Sequence, residues 1–211
     1  MQLDEIEGNL GRPVKDLYGR HVGFLTAVCV ESNGRVKTVG LEVTSGRFEE
    51  HPGSRFVVGE DGPILVPEWK VESEAIVRET SMVSKRLDAL DFLYKKGEFE
   101  QPLYEEMSKE YGSRLSSLAD VQAGQAKRLT ERTAELDSEV VKLDRFIANL
   151  KLQRHSGEVE EHVYERMVAG CSALKAKNQL ERDELTRAFD AQIEPVEVLN
   201  MTISQKSESQ V

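Results

Sequence analysis

The chain has 211 residues, 39% of them hydrophobic and 31% charged, with a formal net charge of −10. That length holds one small compact domain and an extended helical part but hardly two large cores, and the acidic balance argues against a general nucleic-acid-binding surface. Cys29 and Cys171 lie in different segments and encode neither a disulfide framework nor a zinc site, residues 1–7 lack the regions of a secretion signal, and no run reaches the roughly 20 apolar residues of a membrane span. A soluble, cytoplasmic protein is the expectation.

From residue 12 to 71 the pattern has period two. Val22, Phe24, Thr26, Val28 and Val30 alternate, Ser32-Asn33-Gly34 supplies a two-residue hairpin signal, and residues 36–43 read as the return strand. Short runs at 55–58, 64–66 and 69–71 follow, with a turn at 59–63. Five or six short strands over about 60 residues bury an inside face only by curling into a small barrel, which defines a predicted β domain at 1–71.

Near Glu72 the period changes to alternating steps of four and three at Ile76, Thr80, Val83, Leu87, Leu90 and Tyr94, which predicts an amphipathic helix facing a partner helix. Gly97 stops it. A second helix is predicted from about Glu98 to Arg154, with a seam of Leu115, Ala119, Gln122, Ala126, Leu129, Thr133, Leu136, Val140, Leu143, Ile147 and Leu150. A third starts at Glu158, carries Val159, Val163, Met167, Cys171, Leu174, Asn178, Leu185 and Phe189, and ends before Pro195. Asn178 most simply interrupts the apolar run and less readily fixes register.

Residues 97–107 recur as 157–167 at an offset of 60: an apolar stripe, a glycine that ends it, then an acidic first turn. That is how one helix stops and the next begins. Helices one and three together about equal helix two in length, so both fold back onto it as an antiparallel coiled coil over 72–193. One seam per helix offsets chain ordering only marginally at roughly 1.5 to 3 kcal/mol per buried Leu-sized side chain. Met82, Ala89, Phe92, Leu93 and Leu118 widen the apolar face beyond one partner, which predicts a homodimer; a core role within one chain is the alternative. The residues assigned to self-association are Leu87, Leu90, Phe92, Leu118, Leu136, Leu143 and Ile147.

Lys127, Arg128, Arg132, Lys142, Arg145, Lys151 and Arg154 form the densest basic run, but Glu131, Glu135, Glu139 and Asp144 at helical spacing make it a solvated face. The tail, 194–211, follows a helix-stopping proline and alternates apolar with polar residues up to Ile203. It reads as a lone β-segment, which pairs with an edge of this protein's own sheet or with a sheet edge of another protein, frayed chain being the third reading. His21, His51, His155 and His162 are dispersed, the acidic pairs Glu105-Glu106 and Glu160-Glu161 suit helix N-termini, and no nucleophile set, phosphate loop or metal spacing occurs. No catalytic residue, metal or cofactor is predicted.

The first segment resembles the PRC-barrel family through Gly11-Arg12-Pro13-Val14, Gly19, Val22-Gly23 and the run Ile64-Leu65-Val66-Pro67. Gly19 and Gly23 fall where tight turns or close backbone approach are needed. Such barrels also occur in ribosome maturation factors, so an RNA or ribosome-assembly adaptor is the alternative function, although the chain lacks a basic barrel face and an aromatic platform. A PRC-type barrel, then a folded-back coiled coil, then a terminal hydrophobic strand resembles the archaeal CdvA cell-division family, and the fold class is α+β in that order. The resemblance implies a non-enzymatic scaffold that polymerises into filaments at the division site, on the inner face of the membrane. It also implies that the terminal peptide captures the winged-helix part of CdvB, an ESCRT-III-like protein, by strand addition. Pro195, Val196, Val198, Leu199, Met201 and Ile203 are the partner-binding residues on that basis. Association with DNA is a further family property, and membrane contact is expected to be indirect.

Overall fold

A computed structural model describes the backbone of residues 1–43 and 46–208 and the side chains of the same stretches up to residue 191. The chain forms two compact units that do not follow chain order: Met1–Val71 with Ala134–Glu184, and Glu72–Thr133 with Leu185–Val211.

In the first unit a short helix, α1 (Leu3–Ile6), precedes six strands: β1 (Pro13–Asp16), β2 (His21–Val30), β3 (Val36–Val43), β4 (Arg47–Pro52), β5 (Phe56–Gly59) and β6 (Gly62–Leu65). The sheet order is β4-β3-β2-β1-β6-β5. Among the described residues only β1 and β6 pair in parallel. The barrel expectation is corrected: the sheet does not close, because among the described residues no ladder joins β4 to β5, and a short helical turn, Gly53–Arg55, links them instead. Its core is Ile6, Val14, Leu25, Val36, Val39, Leu41, Val43, Phe56 and Leu65.

The β2–β3 hairpin forms with a five-residue connection in place of the two-residue turn, and Gly34 takes a φ of +80°. The inward face of β2 also departs from simple alternation. Leu25 lies opposite Leu41 and is fully buried, whereas Phe24 is largely exposed. A bulge between Leu25 and Ala27 shifts the register, so that Val28 faces the core opposite Val39. Thr26 occupies the bulge, and its hydroxyl accepts the Glu42 amide at 3.1 Å. Gly23 is required by close approach, since a Cβ there would meet the Glu42 carbonyl oxygen at 2.4 Å.

Three long helices follow: α2 (Glu68–Lys95), α3 (Gln101–His155) and α4 (Glu161–Glu208). The strand expected at 69–71 is instead the first turn of α2, whose amides at Lys70 and Val71 bond the Pro67 carbonyl. Proline sets the backbone for a helix start and cannot donate to a ladder. Both turnarounds have one geometry. Gly97 and Gly157 take φ of +76° and +78°. The amides of Glu98 and Glu158 reach back to Leu93 and Gln153 at 3.1 and 2.9 Å. This double-bonded C-terminal glycine motif consumes residues after the glycine, so α3 and α4 begin three residues later than the acidic pattern predicts.

Within the second unit α2 runs antiparallel to the first part of α3. Asp91 bonds Tyr104 at 2.9 Å, Glu79 meets Arg114 at 2.8 Å, Ser73 meets Gln125 at 3.0 Å and Glu72 meets Arg128 at 2.7 Å. Val83, Leu115 and Leu118 form the apolar centre, with Leu87 and Tyr111 against it. Within the first unit α4 lies antiparallel to the end of α3, through Arg154–Glu161 at 2.5 Å, Lys175–Asp144 at 2.5 Å and Arg182–Asp137 at 2.8 Å.

The lone β-segment is corrected as well: α4 continues through residues 194–203 as helix. Val196, Leu199 and Ile203 are spaced three and four apart, so the slip at Leu199-Asn200 that spoils period two suits a helix. A helix satisfies its backbone internally, whereas a single strand needs a partner.

Leu25→Ala should cost about 2 to 5 kcal/mol by leaving a cavity in the sheet core. Urea unfolding followed by circular dichroism measures it, and a loss near zero would show that Leu25 is not a core position.

Candidate functional site

The turn between β1 and β2 is organised by one carboxylate. Asp16 Oδ1 accepts the amides of Tyr18 and Arg20 at 2.9 and 2.8 Å, while its Oδ2 lies 2.5 Å from Arg20 Nε. Gly19, at φ +76°, lets the chain reverse. These bonds aim the Arg20 guanidinium away from the sheet. Its Nη1 donates to Asn178 Oδ1 at 3.0 Å, and its Nη2 pairs with Glu181.

Around this centre Tyr18 donates its hydroxyl proton to Glu184 at 2.9 Å, Lys70 Nζ reaches the same carboxylate at 2.9 Å, and Lys177 Nζ donates to the Gly19 carbonyl at 2.8 Å. Lys177, Asn178, Glu181 and Glu184 recur at helical spacing, so one stripe of α4 faces the turn. Arg20, Lys70 and Lys177 balance Asp16, Glu181 and Glu184. Glu181 is only 2% exposed and Arg20 19%, so the charges are shielded from water and their pairing is obligatory. Burial, reinforced by the neighbouring Glu184 and Glu181 carboxylates, holds the Tyr18 phenol well above its ordinary value of 10.0. The joint has the chemistry of a structural clamp: Arg20 and Lys70 are opposed by Asp16, Glu181 and Glu184, and Lys177 ties the Gly19 carbonyl to α4.

The histidines stay apart from it. His21 packs edge-on against Phe24 at 5.1 Å, and His51 accepts from Arg55 at 3.3 Å through Nδ1. Burial and the Arg55 guanidinium hold His51 below its ordinary 6.5. Among the described residues no group of three or more His, Cys, Asp or Glu side chains is placed to hold a metal ion, and no helix is long and apolar enough to cross a membrane.

Of the residues assigned to self-association, Leu90, Leu118 and Leu136 are buried within the chain and Leu87 packs against the Val83–Leu115–Leu118 cluster. Leu118 in particular is 5% exposed, because its spacing from Leu115 and Gln122 places it on the inward face of α3 in place of Ala119. Leu143 and Ile147 are half-buried, and Phe92 is 57% exposed. Met82, expected from the sequence to widen the apolar face, is exposed as well, and the structure adds Val141, Phe146 and Leu152 as exposed apolar positions. Helical periodicity places Val141 and Leu152 opposite the seam, a signal available in the sequence. The side chains of Pro195, Val196, Val198, Leu199, Met201 and Ile203 lie outside the described residues.

Residues 68–211 match the family described as the CdvA-like coiled-coil domain, and the match begins at the first residue of α2. The chain is also similar to Cell division protein A of Sulfolobus acidocaldarius, 28% identical over 182 residues that cover 86% of this chain and 76% of the relative.

Arg20→Ala removes the guanidinium that pairs with the buried Glu181 and should destabilise the fold by about 3 to 5 kcal/mol in chemical denaturation. Tyr18 supplies a pH signature. The folded state holds the phenol proton more tightly than the unfolded chain, so its stabilisation is complete below pH 10 and is lost as pH rises through the higher folded value. Above pH 10 the wild type should lose stability more steeply than Tyr18→Phe, by up to about 1.4 kcal/mol per pH unit, and parallel curves would contradict this placement of the phenol.

Proposed function

The chain belongs to the CdvA-like coiled-coil family, and from that premise we propose that it is a non-enzymatic scaffold of a cell-division machinery, which assembles with itself and recruits a partner through its C-terminal segment. Similarity to Cell division protein A over most of the chain supports the cell-division role. The observation that carries the scaffold reading is the exposed apolar surface of long helices: Met82 and Phe92 on α2, with Val141 and Leu152 on α3. In this reading the chain dimerises along these faces and polymerises into a filament at the division site on the inner face of the membrane; the exposed apolar surface supports the self-association, and the rest carries over from the family resemblance.

The partner is an ESCRT-III-like protein, CdvB in this family, captured by its winged-helix domain through residues 194–203. Strand addition requires that segment to leave the end of α4. Proline has no N–H to give a helix, and β-branched residues such as those at 196, 198 and 203 have low helix propensity, so unwinding at this point costs less than elsewhere. DNA association carries over from the family alone, and the net charge of −10 opposes it.

Deleting residues 194–211 should leave self-assembly unchanged in sedimentation and electron microscopy while reducing pull-down of the purified winged-helix domain to background. Capture that survives the deletion rejects the assignment of Val196, Val198, Leu199, Met201 and Ile203. Absence of any oligomer in the full chain rejects the scaffold.

A further inference from the structure

The second turnaround carries a feature that helix pairing leaves unused. Lys151, Arg154 and His155 near the end of α3 and Tyr164 near the start of α4 line a cleft of about 330 Å³, at the lower end of the roughly 300–1,000 Å³ range of small-molecule sites. Arg154 is held on two sides. Its Nε lies 2.5 Å from Glu161 Oε2, and its guanidinium carbon lies 4.9 Å from the centre of the Tyr164 ring. With Nε engaged and the plane fixed by the ring, the donors of both terminal nitrogens remain for a ligand, already oriented.

Lys151 and His155 are exposed, and neither has an ion pair among the described residues. Cations in the last turn of a helix complement its carbonyl end, which accounts for their sign. It does not account for their convergence on one cleft with an oriented guanidinium. Lys151 and Arg154 outnumber Glu161 there, so the cleft is cationic within a chain of net charge −10.

We propose that this cleft binds a single phosphate group, free or as the phosphomonoester of a small molecule. A guanidinium fork beside an ammonium is the pairing that phosphate oxygens accept best. An extended polyanion fits less well, because Asp144, Glu158, Glu160 and Glu165 interrupt any basic track leading from the cleft.

Equilibrium dialysis of the full chain against radiolabelled inorganic phosphate at constant ionic strength tests this directly. Saturable uptake of about one phosphate per chain is expected, weakened about tenfold in Lys151→Gln, the effect of losing one charge-assisted hydrogen bond. Lys85→Gln, a control at an exposed position on α2, should bind as wild type. Lys151 makes no buried contact, so its variant should keep the wild-type helix signal and melting temperature, and His155→Gln provides a second variant of the same kind. No saturable uptake, or equal uptake by wild type and Lys151→Gln, overturns the proposal. Anionic phospholipid vesicles and a DNA duplex form separate arms: binding of either that depends on Lys151 without any phosphate uptake also overturns it, in favour of a surface or polymer.

Discussion

A helix of 55 residues such as α3 can satisfy its backbone from within, but it cannot hide a seam of leucines from water by itself. Covering that seam is the constraint from which the rest of the helical part follows. Leu115, Leu118, Leu129, Leu136 and Leu150 fall on one face, and α2 and α4 each return along α3 to cover a stretch of it. Return requires a reversal without a long loop. Gly97 and Gly157 provide it, since at φ near +77° any side chain would strain the backbone. Stacking of Tyr94 on Tyr104 at 4.1 Å and of Arg154 on Tyr164 at 4.9 Å ties the two arms together at each bend.

The seam is not uniformly greasy. Gln125 is fully buried and donates to Ser73, and α4 presents Asn178 and Glu181 where a coiled coil would place leucines. Burying such groups gains little net energy, because desolvation consumes most of the attraction. What they contribute is selectivity: only one angular setting of α4 satisfies Arg20, Tyr18 and Lys70 together. Apolar helices can slide past each other by a turn at small cost, whereas a displaced Glu181 would give up the Arg20 guanidinium while still largely shielded from water.

Much of this was legible in the residues. The offset of 60 exposed both reversals because each uses the same chemistry at its glycine and its acidic cap. The hairpin of β2 and β3 was legible for the same reason, although its connection was not, and the face of β2 was misjudged because a bulge at Thr26 is invisible to a period-two count. The joint was harder. Asn178 looks like a gap in an apolar stripe, and nothing local to α4 indicates that its partner lies 158 residues away in a turn governed by Asp16. Residues 194–203 illustrate a third limit, since a ten-residue stretch with apolar positions at 196, 199 and 203 satisfies helical spacing nearly as well as alternation.

The clamp on α4 also governs how such a chain can change in length. Asn178 and Glu181 are counted from the bend at Gly157 along a helix that turns about 100° per residue, so one inserted residue between them would rotate both carbonyl-bearing side chains off the Arg20 guanidinium. Insertions and losses in that interval are tolerable only in whole heptads matched by equal ones in α3 beyond Asp137, since a heptad restores the bearing of the stripe but also advances it by about 10.5 Å along the helix. Loops in the sheet, such as the one from 31 to 35, face no such arithmetic, and divergence among relatives should therefore be graded continuously there but stepwise along α4.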